Sequence, residues 1–123
     1  MLTPHNRKVE ELKRILLKLN LPVLPLNTVK SGFYVCDVVT RIDTNFIPID
    51  FINSHGQVAF DIGGLVLLSG KDIVDYSLAV ISDKLWEKEA RDFKIAKLNL
   101  PVRVSMIRFA EVEDWFTSKL GLL

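Results

Sequence analysis

Over the first twenty residues, apolar positions recur at Val9, Leu12, Leu16 and Leu19, and Ile15 widens the stripe. That spacing predicts one helix face. Arg7, Glu11, Arg14 and Lys18 fall on the opposite side. Thr3 can cap this helix, and Pro4 sits at its first position, where a missing N–H costs nothing. Glu10 and Arg14 have the i,i+4 spacing of a favourable pair. The helix is predicted to stop near Asn20, because Pro22 biases Leu21 out of helical backbone. Leu21 to Leu26 is short, apolar and proline-rich, and reads as a peripheral strand or extended arm.

The pattern then changes. Phe33 to Arg41 carries Phe, Tyr, three Val and Thr, residue types that pack well on a pleated surface. Ile42 to Asn45 is a polar turn, and Phe46 to Asn53 is the returning strand of an antiparallel hairpin. Pro48 cannot donate to a ladder, so a bulge or an unpaired side is expected there. Ser54 to Lys71 mixes four glycines with apolar residues. Val58, Ile62, Leu65 and Leu68 fit a helix, whereas Gly63–Gly64 would cost about 1–2 kcal/mol inside one. Between a buried strand over Gly64 to Ser69 and a helix, the expectation is a short helix broken at the glycines.

The last third alternates more regularly. Ser77 to Ser82 reads as a buried strand. Asp83 can cap a helix running to about Leu98, with Trp86, Ala90 and Phe93 inward. Leu100 to Phe109 is the next strand, and strand, helix, strand in this order implies a right-handed parallel crossover. A final helix from about Ala110 to Leu120 has Glu111, Glu113 and Asp114 at its start and Lys119 at its end, as the helix dipole favours. Together these elements predict a single α/β domain over residues 1–123. Its central mixed sheet is an antiparallel meander followed by a parallel crossover, flanked by helices.

Bulk properties narrow the class. A chain of 123 residues with 49% hydrophobic and 25% charged residues matches an ordinary globular domain. The net charge of +1 predicts no long-range pull toward nucleic acid or an anionic membrane, so any such binding needs a local basic stripe. No apolar run reaches the roughly 18 residues that span a bilayer, and no partner membrane is expected. Cys36 is the single cysteine, which rules out an internal disulfide and fits a reducing compartment. A cytoplasmic location is the expectation.

Candidate chemistry is sparse. Gly63–Gly64 and Ser69-Gly70-Lys71 lack the spacing of a phosphate loop, which weakens a Rossmann-like small-ligand binder. His5 and His55 are the only histidines, and neither has a second His or Cys at zinc-ligand spacing. Cys36 reads as a buried structural thiol. The acidic pair Asp37 and Asp50 is more informative. By period two, Asp37 shares a face with Phe33, Val35 and Val39, and Asp50 with Phe46, Pro48 and Ile52. Two carboxylates on adjacent strands can approach and hold a divalent cation through oxygen ligands.

This order of elements resembles the PD-(D/E)xK, or restriction-endonuclease-like, nuclease superfamily. There a helix with a glutamate precedes a strand meander. An aspartate lies on one strand, and a Glu-x-Lys or Asp-x-Lys follows on the next, roughly a dozen residues on. A helix, a strand, a further helix and another strand complete the core. The matching residues here are Glu10 or Glu11 on the first helix, Asp37 in YVCDVVTR and Asp50 in FIPIDFIN. The resemblance covers most of the chain and rests on order and spacing. It implies Asp37, Asp50 and Glu11 as catalytic residues, Asp37 and Asp50 as ligands of Mg²⁺ or Mn²⁺, and DNA or RNA as partner. The family lysine falls at Ile52, so the chain resembles a degenerate member, with Arg41 and His55 the nearest substitutes in sequence.

Lys84, Lys88 and Arg91 recur at i, i+4 and i+7 and share one face of the penultimate helix, a candidate nucleic-acid-binding stripe. Glu87, Glu89 and Asp92 interleave with it, and a solvated face is the competing reading. Trp86, Trp115 and Phe116 have core spacing. Leu120, Leu122 and Leu123 leave an apolar tail that can support a homodimer. The functional expectation is a nuclease-like, nucleic-acid-associated protein, degenerate or weakly metal-dependent. The alternative is a non-enzymatic protein-interaction or dimerisation module.

Overall fold

Two apolar cores, one on each face of a four-stranded sheet, organise the chain in the computed structural model, which describes residues 2–29, 34–71, 73–101 and 103–121. The strands are β1 (Val38–Ile42), β2 (Asn45–Ile52), β3 (Ser77–Ile81) and β4 (Val104–Arg108), in the spatial order β1-β2-β3-β4. β1 and β2 are antiparallel, and β2, β3 and β4 run parallel. The helices are α1 (Pro4–Lys18), α2 (Val58–Leu68), α3 (Asp83–Asn99) and α4 (Val112–Lys119). α2 and α3 cover one face through Leu65, Leu68, Trp86 and Phe93. α1 and α4 cover the other through Leu12, Leu16, Val112 and Phe116. The result is a single α/β domain with a mixed sheet between two helical layers, as the sequence pattern predicts.

Local signals explain most boundaries. The Thr3 hydroxyl accepts from the Asn6 amide at 3.1 Å and starts α1. At the other end Asn20 adopts φ 62°, and the Leu21 amide donates back to the Leu16 carbonyl at 2.9 Å. A left-handed residue just past a helix, with this backward bond, satisfies the last carbonyls. Asn20 therefore ends α1 actively, together with Pro22. Asp43, at φ 54°, turns the two-residue hairpin between Ile42 and Asn45.

Pro48 has the expected effect. Phe46 bridges to Val74, whereas Ile49 pairs with Leu78, so the β3 side carries one extra residue between the two pairings. The ladder gives way where Pro48 has no N–H to offer.

Several expectations require correction. α2 is one unbroken helix through Gly63 and Gly64. An added Cβ on Gly64 would run into the Tyr34 ring, so this glycine allows a close approach and burial of Leu65 and Leu68 offsets its low propensity. β1 starts only at Val38, and of the two alternatives for Leu21 to Leu26 the extended arm holds, with one bridge, Leu24 to Val39. Ser82, not Asp83, caps α3 by accepting from the Leu85 amide at 3.2 Å. Glu10 pairs with Lys13, not Arg14, and Glu87 pairs with Arg108. β4 is shorter than predicted, and a 3₁₀ turn over Phe109–Glu111 precedes α4. Leu122 and Leu123 lie outside the described residues, while Leu120 packs on the α1/α4 core. Among the described residues no helix is long and apolar enough to cross a membrane.

Candidate functional site

The site forms where β2 ends and the chain enters β1. Asp37 is not a regular strand residue. It occupies a bend just before β1, and its amide is shared between the Ile49 carbonyl at 3.1 Å and Asp50 Oδ1 at 3.0 Å. Asp37 Oδ2 in turn accepts from the Phe51 amide at 2.9 Å. Reciprocal side-chain-to-backbone bonds thus lock the two aspartates together across neighbouring segments. Such local acceptors compete with the regular ladder, which explains why β1 begins one residue later.

Helices from both layers add to this pair. α1 brings His5, whose Nε2 lies 3.2 Å from Asp37 Oδ2 and 3.1 Å from the Phe51 carbonyl. α2 brings Asp61 in its first turn, where the helix dipole favours an acid. His5, Asp37, Asp50 and Asp61 line one open pocket of about 550 Å³, together with Tyr34 and Asn53. Tyr34 is fixed by its hydroxyl, which donates to the Asp61 carbonyl at 3.2 Å.

The electrostatics follow from burial. Asp50 is only 3% exposed, and its Oδ2 has no hydrogen-bond partner. Burial, reinforced by the negative charge of Asp61, pushes its pKa up to about 8 despite the Asp37 amide and the nearby His5. Asp61 is raised to about 6 by burial and by Asp37, with His5 opposing. Burial pulls the His5 imidazole down, but the Asp37 charge and the hydrogen bonds to Asn6, Phe51 and Asp37 outweigh it and leave its pKa raised. Its ring faces three acceptors, Asp37 Oδ2, the Phe51 carbonyl and Asn6 Oδ1. That surrounding favours the imidazolium, which donates from both nitrogens.

The expected site residues separate into two groups. Asp37 and Asp50 come together. Glu11 does not line their pocket and pairs instead with Lys8 at 3.2 Å. Glu10 is likewise taken up by Lys13. Ile52, at the lysine position, is buried in the α2/α3 core. Arg41 is exposed, opposite Phe46 at the hairpin end of the sheet. His55 pairs with Glu89 at 2.8 Å and does not line the carboxylate pocket. His5 and Asp61 are the residues that sequence reasoning passed over. Cys36 is buried, and burial lifts its thiol to about 11, which makes it a packing group.

The basic stripe is also divided. α3 is kinked at Glu89, whose φ of −125° and ψ of 27° are non-helical. Lys84 and Lys88 precede the kink and line a second groove of about 550 Å³, whereas Arg91 lies beyond the kink and does not. That groove shares Phe51, Asn53 and Ser54 with the carboxylate pocket.

Among the described residues, no three His, Cys, Asp or Glu side chains are gathered closely enough to form a ready metal cluster. A Mg²⁺-type ion keeps several waters and is held by one or two carboxylates, which is what Asp37 and Asp50 offer. The unpartnered Oδ2 of Asp50 fits such an ion, since a buried acceptor without a donor is costly. No protein family, curated protein or solved structure matches this chain.

Proposed function

We propose that the chain is a nuclease-like, nucleic-acid-associated protein with weak, metal-dependent phosphodiester-cleaving chemistry. The observation that carries this reading is the Asp37–Asp50 pair, whose two residues line an open pocket and one of which keeps a buried, unpartnered oxygen. Asp37 and Asp50 bind Mg²⁺ or Mn²⁺. When bound, the cation neutralises charge on a phosphate oxygen and lowers the pKa of water. His5, whose acceptors favour the protonated ring, is the group suited to supply the positive charge that the resemblance assigns to a lysine at Ile52. Asp61, with its pKa near 6, is suited to take a proton from the attacking water at neutral pH. Water adds to phosphorus, the bond to the leaving oxygen breaks, and that oxygen takes a proton from solvent. Glu11 has no part in this scheme.

The restriction-endonuclease-like assignment belongs to the same proposal. It is supported by the order α1, β1, β2, α2, β3, α3, β4, with Asp50 on β2 and Asp37 in the bend just before β1. We also place the protein in the cytoplasm, in keeping with its single, buried cysteine.

The test is cleavage of an end-labelled oligonucleotide with Mn²⁺ or Mg²⁺. The wild type should cut slowly, and Asp50→Asn and His5→Ala should each lose at least about tenfold in rate. A wild type inert with both ions would overturn the catalytic reading.

A second reading, dimerisation, is favoured by α2. Its outer side exposes Phe60 (68%) and Leu67 (60%), with Gly63 between them open to solvent. A helix apolar on both sides ordinarily has both covered. Sedimentation of Phe60→Asp/Leu67→Asp against the wild type tests it: a dimer that becomes a monomer supports this reading, and an unchanged mass removes it.

A further inference from the structure

The second groove lies at the carboxyl ends of β2 and β3, between the N-terminal ends of α1 and α3. Crevices at this end of a parallel sheet are where α/β proteins bind ligands. Exposed Pro4, with the almost fully buried Phe51 and Leu85 beside it, gives it an apolar floor, and Lys8, Lys84 and Lys88 stand around it. Three acids in this part of α3 are held in ion pairs, and one of them, Glu89, lines the groove together with its partner His55. Asp83 and Glu87 pair with Arg108 at 3.4 and 3.5 Å, and Glu89 pairs with His55. Lys84 and Lys88 have no ion-pair partner among the described residues, and both are exposed. The kink at Glu89 therefore sorts the helix. Its first half carries two free ammonium groups over an apolar floor, and Arg91 is left outside.

We infer that this groove binds an unpaired stretch of a phosphodiester chain, with Lys84 and Lys88 on its phosphates and a base on the apolar floor. Duplex nucleic acid offers a protein its charged sugar–phosphate rims and keeps its bases stacked inside, so it leaves an apolar floor unused. A single strand offers both phosphates and free base faces. Because Asn53 and Ser54 border both cavities, the next phosphate along the strand reaches the carboxylate pocket. That last step rests on the hydrolytic reading given above, whereas the groove itself does not.

The test is fluorescence anisotropy with a labelled oligothymidylate of about twelve nucleotides, within the site sizes of single-strand binders. EDTA is present throughout, so that no cleavage or cation contributes. The wild type should bind the single strand more tightly than a duplex of equal length. Lys84→Glu/Lys88→Glu should weaken binding at least about tenfold, and the slope of log affinity against log salt should fall by about 1.4, or about 0.7 for each lost phosphate contact. Lys94→Glu/Lys97→Glu, beyond the kink, should change affinity by less than about twofold, as expected for charges that touch no phosphate. Absence of binding, equal affinity for duplex, or an equal loss from the Lys94/Lys97 variant would overturn the inference. If the groove variant loses binding here while Asp50→Asn binds as the wild type does and loses only cleavage, the two sites are separately supported. Failure of one assay leaves the other reading intact.

Discussion

The Asp37 amide donates to Asp50 Oδ1 at 3.0 Å, while the second oxygen of Asp50 is buried without a partner. One carboxylate is thus half satisfied by its neighbour's backbone and half left over. A fold that needed only a structural hydrogen bond would be served by Asn at this position. The leftover acceptor has a purpose if a cation completes it.

The unliganded protein should be destabilised by Asp50 at alkaline pH. Its pKa is about 8 in the folded chain against an ordinary 3.8, so between these values the folded state holds more protons than the unfolded one. Stability from this group therefore falls as pH rises through that window. Asp50→Asn, which keeps an oxygen for the Asp37 amide, should be more stable than the wild type by an amount on the order of a few kcal/mol at pH 8. The gain should shrink toward pH 4. Urea unfolding in EDTA at the two pH values measures it, and a gain independent of pH would contradict the burial of this carboxylate.

The two adjacent glycines of α2 should respond oppositely to alanine. Nothing lies within 4 Å of a Cβ placed on Gly63, so Gly63→Ala should stabilise by about 0.5–1 kcal/mol through helix propensity. At Gly64 the new methyl would meet the Tyr34 ring, and Gly64→Ala should destabilise by about 1–3 kcal/mol despite the same propensity gain. Thermal melts of both variants decide it. A helix broken at these positions would give the two changes the same sign.

These contrasts indicate what the sequence made legible. The spacing of Val9, Leu12 and Leu16 and the cap at Thr3 locate α1 because both signals are local. The hairpin follows from the turn at Asp43 and Thr44 for the same reason. Asp37 and Asp50 stood out because they occupy adjacent extended segments. His5 did not, since it meets Asp37 across 32 residues and the Phe51 carbonyl across 46. Asp61 lay in a segment whose glycines argued against an unbroken helix. Only packing of α2 against Tyr34 and the sheet turns that residue into the pocket. Period-two reasoning also fails at Asp37, because the chain bends there before β1 begins.

Cys36 should be chemically silent in the native protein. Burial raises its thiol to about 11, so almost no thiolate is present at pH 8. Alkylation by iodoacetamide at pH 8 should be slow in buffer and rapid in denaturant. Rapid labelling of the folded chain would show that this segment opens.

Asp61 and Glu11 should differ in their effect on cation binding. Asp61 lines the carboxylate pocket, whereas Glu11 is paired with Lys8 outside it. Asp61→Asn should weaken Mn²⁺ binding, by about tenfold if its charge acts at the ion from a supporting position. Glu11→Ala should leave it unchanged. Equal effects would return Glu11 to the site.

The most direct measurement is a calorimetric titration of Mn²⁺ into the wild type, Asp37→Ala and Asp50→Ala at pH 8. The account predicts one saturable site in the wild type, with proton release as Asp50 ionises, and its loss in both variants. A wild type that takes up no ion, or variants that bind as well as it does, would contradict a cation shared by Asp37 and Asp50.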